Sequence, residues 1–326
     1  MDGVLSLAGA NLVSPIILSF VLGLVAALAR SDLSFPEAVA KGLSLYLLFA
    51  IGFKGGAGVA AHGVDAQLVA ALLSGIFLSL LLPFLAFMLL RSLASVSAVD
   101  AAAVAGHYGS ISIVTFVAAS SLLTGLGIAT DGYMVAVAAA MEAPAILSAL
   151  WLAARRGGKG EGVGADLWRE ILLNGSIVLL LGAFAIGWIT GEDGMAEIEA
   201  FIVAPFKGVL CLFLLDMGLV AGRGLRGSRG VLTLGVVAFG ILMPLVGAGA
   251  GLAAGLLLGL SLGSVVLFMV LGASASYIAV PAAMRVALPE ANPALSLTLS
   301  LGVTFPFNLT IGIPLYLMVA GALVAI

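Results

Sequence analysis

The chain has 326 residues, of which 63% are hydrophobic and only 9% charged, with a mean hydropathy of +1.28. A soluble chain carries roughly 25% charged residues to cover its surface, so this composition excludes a water-soluble globular fold. The formal net charge of −3, with no basic run longer than Arg155-Arg156, argues against nucleic acid as a partner, and the single Cys211 forms no internal disulfide.

The N-terminus, Met1-Asp2-Gly3, lacks the basic region of a signal peptide, so the first apolar segment reads as a span that stays. At about 20 residues per span, apolar stretches fall at 12–29, 36–61, 67–90, 98–128, 132–154, 170–190, 200–222, 231–259, 264–288 and 294–324. The predicted fold is an all-α membrane protein with about ten transmembrane helices. Charge tests the count. Arg30, Lys41, Arg91, Arg155, Arg156, Lys159, Arg169, Arg223, Arg226, Arg229 and Arg285, eleven of the thirteen basic residues, fall on or near one side if the N-terminus is outside; Lys54 and Lys207 are the exceptions. The opposite loops hold Asp65, Asp131, Glu192, Asp193, Glu197 and Glu199. Basic loops stay cytoplasmic, which places both termini on the periplasmic side of a bacterial inner membrane.

The longest charged break, Arg155 to Glu170, divides the chain into 1–160 and 161–326, five spans each. An odd number per half inverts the second half relative to the first. Lys41-Gly42 and Gly52 match Lys207-Gly208 and Gly218 at an offset of 166, which also sets Gly106 on Gly272 and Ser110 on Ser276. Inverted repeats characterise secondary transporters, with the substrate near the midplane where the repeats meet.

The fourth and ninth spans read as interrupted, by Gly106-His107-Tyr108-Gly109-Ser110-Ile111-Ser112 with Thr115, and by Gly272-Ala273-Ser274-Ala275-Ser276-Tyr277 with Pro281. Unwound backbone at membrane depth survives only inside protein or along an aqueous cavity. A half-helix starting there aims free N–H groups at the midplane and makes an anion site without a charged side chain. The alternative is that Gly and Ser simply let helices pack closely.

Ionisable residues within spans are few and costly unless paired or hydrated. Glu142, before Ala143-Pro144, reads as a sodium ligand beside a helix break, a proton carrier or a neutral packing carboxyl. Asp216 reads as the ion-pair partner of a basic residue such as Lys54, or as filling a similar structural role. His107 reads as a hydrogen-bonded support more readily than a substrate ligand. Lys41 and Lys207 read as snorkelling side chains, and Arg285 as an interfacial anchor. Asn308, between Pro306 and Pro314, offers a carbonyl ligand or a helix–helix hydrogen bond, and Thr304 matches Glu142 in rough repeat position. Glu142, Thr304 and Asn308 make the candidate sodium site. No metal-binding Cys/His cluster, nucleotide loop or nucleophile–base pair is visible, so catalysis and a resident cofactor are not expected.

These pieces together resemble the sodium-dependent bicarbonate transporter family over nearly the whole length. The resemblance is carried by Val99-Asp100-Ala101, Gly109-Ser110-Ile111-Ser112 through Thr115, and Glu142-Ala143-Pro144-Ala145 in the first half. In the second it is carried by Ala273-Ser274-Ala275-Ser276, Pro281, Arg285, Pro289 and Ala291-Asn292-Pro293. It implies ten spans in two inverted repeats, a trimerising gate domain (10–65 and 168–226) and a core domain (66–156 and 230–326). It further implies a bicarbonate site at Gly109, Ser110, Ser112, Thr115, Ser274, Ala275 and Ser276, with Tyr277 flanking it and sodium close by. Some cyanobacterial members are inhibited by a small signalling protein related to the nitrogen-regulatory proteins. The chain departs from the cyanobacterial pattern where Tyr277 replaces an acid, where Val280 precedes a lone Pro281, at Glu142 in place of Asp, and in a shorter middle loop.

The expected function is import of a small anion, most readily bicarbonate, by sodium symport. Bile-acid-type and auxin-type carriers use a similar plan for organic anions. Tyr108 and Tyr277, beside the two breaks, are expected to narrow the site in favour of a small cargo. A passive channel would need a continuous polar path, which the clustered serines do not supply, and a sensor would usually append a soluble domain.

Overall fold

The computed structural model describes residues 13–63, 65–155, 173, 175–227, 232–277, 280, 281, 283, 284 and 288–324. Arg285 and residues 156–172 of the central break lie outside the described residues. In chain order the helices are α1 (Pro15–Leu28), α2 (Glu37–His62), α3 (Ala66–Leu93), α4 (Ala98–Gly109), α5 (Ile113–Gly125), α6 (Met134–Ala140) and α7 (Pro144–Arg155). They continue with α8 (Gly175–Ile202), α9 (Phe206–Gly227), α10 (Leu234–Leu257), α11 (Leu262–Ala273) and α12 (Pro293–Leu299). α12 runs through two π-helical turns, Ser300–Thr304 and Asn308–Gly312, into α13 (Ile313–Val324). No strand occurs among the described residues. Eight helical stretches among them are long and apolar enough to cross a membrane, counting α4 with α5, α6 with α7, and α12 through α13 as one each; α1 and α11 are shorter apolar helices.

Local chemistry sets the helix starts. Side-chain oxygens of Ser14, Asp65, Ser97, Ser112, Thr233 and Asn292 accept hydrogen bonds from amides of the first turns of α1, α3, α4, α5, α10 and α12, satisfying donors that have no carbonyl four residues back. Pro15 and Pro293 occupy first-turn positions, where the missing N–H costs nothing.

One expectation is corrected here. Residues 191–199, with Glu192, Asp193, Glu197 and Glu199, read as a loop between spans, yet they are helical and belong to α8. The helix breaks direction at Gly191 (φ 58, ψ −140). The following segment then lays Met195, Ile198 and Ile202 against Ala50 and Phe53 of α2 while its acids stay outside. That backbone conformation is essentially restricted to glycine, so Gly191→Ala is expected to cost about 1–3 kcal/mol. A lowered midpoint in thermal unfolding of the detergent-purified protein checks it.

Two helix pairs are drawn together by absent side chains. A Cβ at Gly23 of α1 would strike the backbone of Leu215 and Leu219 in α9, and one at Gly218 would strike Phe20 and Leu24 in return. Gly52 and Gly56 of α2 meet Leu180 and Phe184 of α8, and Gly187 of α8 meets the Phe53 backbone. In lipid, where apolar surface gains little from leaving its surroundings, such close backbone contact is the main source of cohesion.

The rest of the molecule encloses α4 and α11. Every residue from Ala101 to Gly109 is buried, as is every residue from Gly263 to Ala273. Gly109 rests on Pro83 of α3, and Gly272 meets the Gly247 backbone of α10. The two helices match in detail. Ser97 (φ −61, ψ 157) and Ser261 (φ −60, ψ 155) precede them; Ser110 (φ −86, ψ 168) and Ser274 (φ −86, ψ 163) end them. Both pairs are 164 residues apart. The cap conformations pair Ser110 with Ser274, whereas the glycine match at 166 pairs Ser110 with Ser276.

Candidate functional site

The ends of α4 and α11 meet in the interior. Both helices stop where a serine turns extended, at Ser110 and Ser274, and the chain resumes as α5 only after Ser112. The two breaks are stitched to each other. The Ser276 amide donates to the His107 carbonyl (2.8 Å), and His107 Nδ1 lies 2.6 Å from the Ser276 carbonyl. A carbonyl only accepts, so Nδ1 carries the proton. The Ser112 amide donates to Ser274 Oγ (2.9 Å), and that hydroxyl donates to the Leu271 carbonyl (3.0 Å). His107 is thus a support that fastens one break to the other.

Ser112 Oγ accepts from the Thr115 amide (3.3 Å) and from Thr115 Oγ1 (3.0 Å). The amides of Ile113 and Val114, at the start of α5, have no helical acceptor. Two buried hydroxyls beside the breaks, Ser110 Oγ and Tyr277 OH, have no hydrogen-bond partner among the described residues. A buried polar group left unpaired is costly and calls for a functional account.

Between the breaks lies a cavity of about 10 Å³ lined by Leu48 of α2, Ile111, Ser112, Ile113, Glu142, Leu180 of α8, Ser276 and Tyr277. That is room for about one water molecule. Glu142 sits in the turn at 141–143 that separates α6 from α7. Ser79 of α3 anchors this turn by donating to the Met141 carbonyl (2.5 Å). The Glu142 side chain is 7% exposed and makes no hydrogen bond or ion pair with a described residue. Its carboxylate and the oxygens of Ser112, Ser276 and Tyr277 are hard ligands suited to a small alkali cation.

The structure therefore gathers Ser112, Ser276, Tyr277 and Glu142 around one cavity. Ser110, Thr115, Ser274 and Ala275 are buried in its supports, and Gly109 packs against Pro83 and Ala145. Thr304 and Asn308 are not among its lining residues. Thr304 Oγ1 bonds Tyr108 OH (2.5 Å) and donates to the Gly240 carbonyl (2.7 Å). Asn308 donates to the Ala273 carbonyl (2.9 Å) and accepts from Tyr316 OH (2.8 Å). Both residues hold helix ends in place, a helix–helix role for Asn308.

Two further expectations are corrected. Tyr108 points away from the cavity, onto Phe239 (ring centroids 4.8 Å apart) and Thr304, so only Tyr277 of the two tyrosines narrows the site. Lys54 does not pair with Asp216. Its ammonium lies over the Phe206 ring, 4.5 Å from the centroid, where the negative face of the ring attracts a cation. Sequence reasoning missed Leu48 and Leu180, which close the cavity from α2 and α8; an apolar residue in an apolar span carries no signal of that role.

A family model described as the Na+-dependent bicarbonate transporter superfamily matches residues 15–321 of the chain. No curated protein matches it.

Proposed function

Because the chain belongs to the Na+-dependent bicarbonate transporter superfamily, we propose that it imports bicarbonate by sodium symport, with the crossing of the α4 and α11 breaks as the substrate site. The observation that carries this reading is the buried cavity where Ser112, Ser276, Tyr277 and Glu142, which has no partner among the described residues, converge. The anion is held by hydroxyls and by the free amides opening α5, which need no charged side chain. Sodium sits between the anion and the Glu142 carboxylate and neutralises both.

In this proposal ten spans form two inverted five-helix repeats, 1–160 and 161–326, with both termini on the periplasmic side of a bacterial inner membrane. The dihedral match at Ser97 and Ser261 and at Ser110 and Ser274 supports the repeat. The core (66–156 and 230–326) moves against a trimeric gate (10–65 and 168–226) in alternating access. A cavity with room for one water does not admit the four heavy atoms of bicarbonate. Leu48 and Leu180 therefore withdraw before the anion enters. The same narrowness disfavours a bile-acid-sized cargo.

The test is uptake of labelled bicarbonate into proteoliposomes with and without an inward sodium gradient. Import of one anion against an inside-negative potential opposes about 2.3 kcal/mol per charge per 100 mV; one sodium per anion cancels that charge and leaves the sodium concentration gradient to drive accumulation, and a second sodium adds the potential to the driving force. Sodium-dependent accumulation is the expected result. Accumulation that ignores sodium and follows pH would transfer the coupling to a proton on Glu142, and none in either condition would remove bicarbonate as cargo.

A further inference from the structure

Lys54 and Lys207 are the two basic residues that the charge asymmetry of the chain leaves unexplained. An intramembrane or off-side lysine is costly and ordinarily marks a function. The structure brings both to the wall of one cavity of about 400 Å³, with Ile51, Gly55, Phe116, Ser120, Thr124 and Asp131. We propose that this cavity is an entry vestibule, in which Lys54 and Lys207 capture the transported anion before it reaches the crossing of the breaks; the proposal rests on the transport reading above.

Three observations support it. First, the cavity and the crossing share walls. On α2, Leu48 lines the crossing, and Ile51, Lys54, Gly55 and Gly58, on the same helix face, line the vestibule. On α5, Ser112 and Ile113 line the crossing, and Phe116, Ser120 and Thr124 follow at four-residue steps. The six residues from Leu48 to Lys54 span about 9 Å of helix axis. Ile51 and Phe116, in the turns between the two sets of lining residues, are buried and line the vestibule.

Second, the two ammonium groups keep their charge available. Lys54 is half-buried over Phe206, and Lys207 is exposed; neither forms an ion pair with a described carboxylate. An aromatic face holds a cation without neutralising it. The one carboxylate lining the vestibule, Asp131, is engaged elsewhere. It accepts from Ser264 Oγ (2.6 Å), Ser261 Oγ (3.1 Å) and Tyr133 OH (3.3 Å).

Third, the volume fits the task. The vestibule accommodates an anion with part of its hydration shell, whereas the crossing, at about 10 Å³, does not. Low-dielectric walls around like charges focus the field and raise the local concentration of a counter-ion.

The experiment measures bicarbonate uptake in proteoliposomes at a fixed sodium gradient for wild type, Lys207→Gln, and the double variant Lys54→Gln/Lys207→Gln. The double variant is expected to raise KM about tenfold with Vmax unchanged. Raising ionic strength with choline chloride should raise KM of the wild type and leave that of the double variant flat. Arg at both positions should restore wild-type behaviour. Lys207 touches no carboxylate and is exposed, so Lys207→Gln alone, expected to raise KM by a smaller factor, tests the idea even if the double variant fails to fold. An unchanged KM with wild-type salt dependence, or a fall in Vmax alone, overturns the vestibule while leaving the transport reading intact. Wild-type protein that fails to accumulate bicarbonate overturns both.

Discussion

Replacing Glu142 by glutamine is expected to abolish sodium-driven bicarbonate accumulation, a loss of at least about tenfold in rate, or 1.4 kcal/mol or more in the barrier. Glu142 is buried at 7% exposure, has no hydrogen-bond or ion-pair partner among the described residues, and faces the same cavity as Ser112, Ser276 and Tyr277. A carboxylate in that position repels an incoming anion unless a cation lies between them. Glutamine keeps the shape and removes the charge, so the variant loses the cation and with it the link between gradient and cargo. Thermal unfolding gives an independent reading. Sodium at a hundred times its dissociation constant stabilises the state that binds it by about 2.7 kcal/mol. The wild-type midpoint should therefore rise with sodium and the Glu142→Gln midpoint should not. If the variant keeps both sodium-dependent uptake and sodium-dependent stabilisation, the cation is held elsewhere.

How much of this site the sequence disclosed depends on the kind of residue. The interrupted helices were legible because Gly109-Ser110 and Ser274-Ala275-Ser276 place small and hydroxyl residues where an apolar span should run on. Their register differs by two residues between the glycine match and the cap conformations. The Gly106–Gly272 match reflects helix packing, while the equivalence of backbone conformation runs through Ser110 and Ser274. Glu142 drew attention because a carboxyl inside a span is rare. Its grouping with Thr304 rests on rough repeat position and that with Asn308 on a carbonyl between two prolines, and neither encodes distance. Lys54 illustrates the same limit: sequence suggests a carboxylate partner, but the ammonium lies over the face of Phe206 from another helix. The helical acids after Gly191 were hidden because charges near a membrane read as loop. The pattern Met195, Ile198, Ile202 that buries one face became decisive only once Phe53 was known to lie beneath it.

Ser276→Leu is expected to abolish uptake. Ser276 is 1% exposed, its backbone is bonded in both directions to His107, and its side chain borders a cavity of about 10 Å³. Leucine brings two more heavy atoms than serine into that space. Overpacking of this kind costs about 1–3 kcal/mol, so part of the loss would be structural. Ser110→Ala separates the two effects. Ser110 Oγ is fully buried and has no partner, so deleting it relieves an unmet hydrogen-bonding group and is expected to leave stability unchanged or raise it by about 1 kcal/mol. If that hydroxyl is reserved for the anion in the open state, KM for bicarbonate rises several-fold in a protein that is no less stable. A stable Ser110→Ala protein with wild-type KM would remove Ser110 from the site. The crossing would then bind through Ser112, Ser276 and Tyr277, the hydroxyl residues that already line the cavity when it is closed.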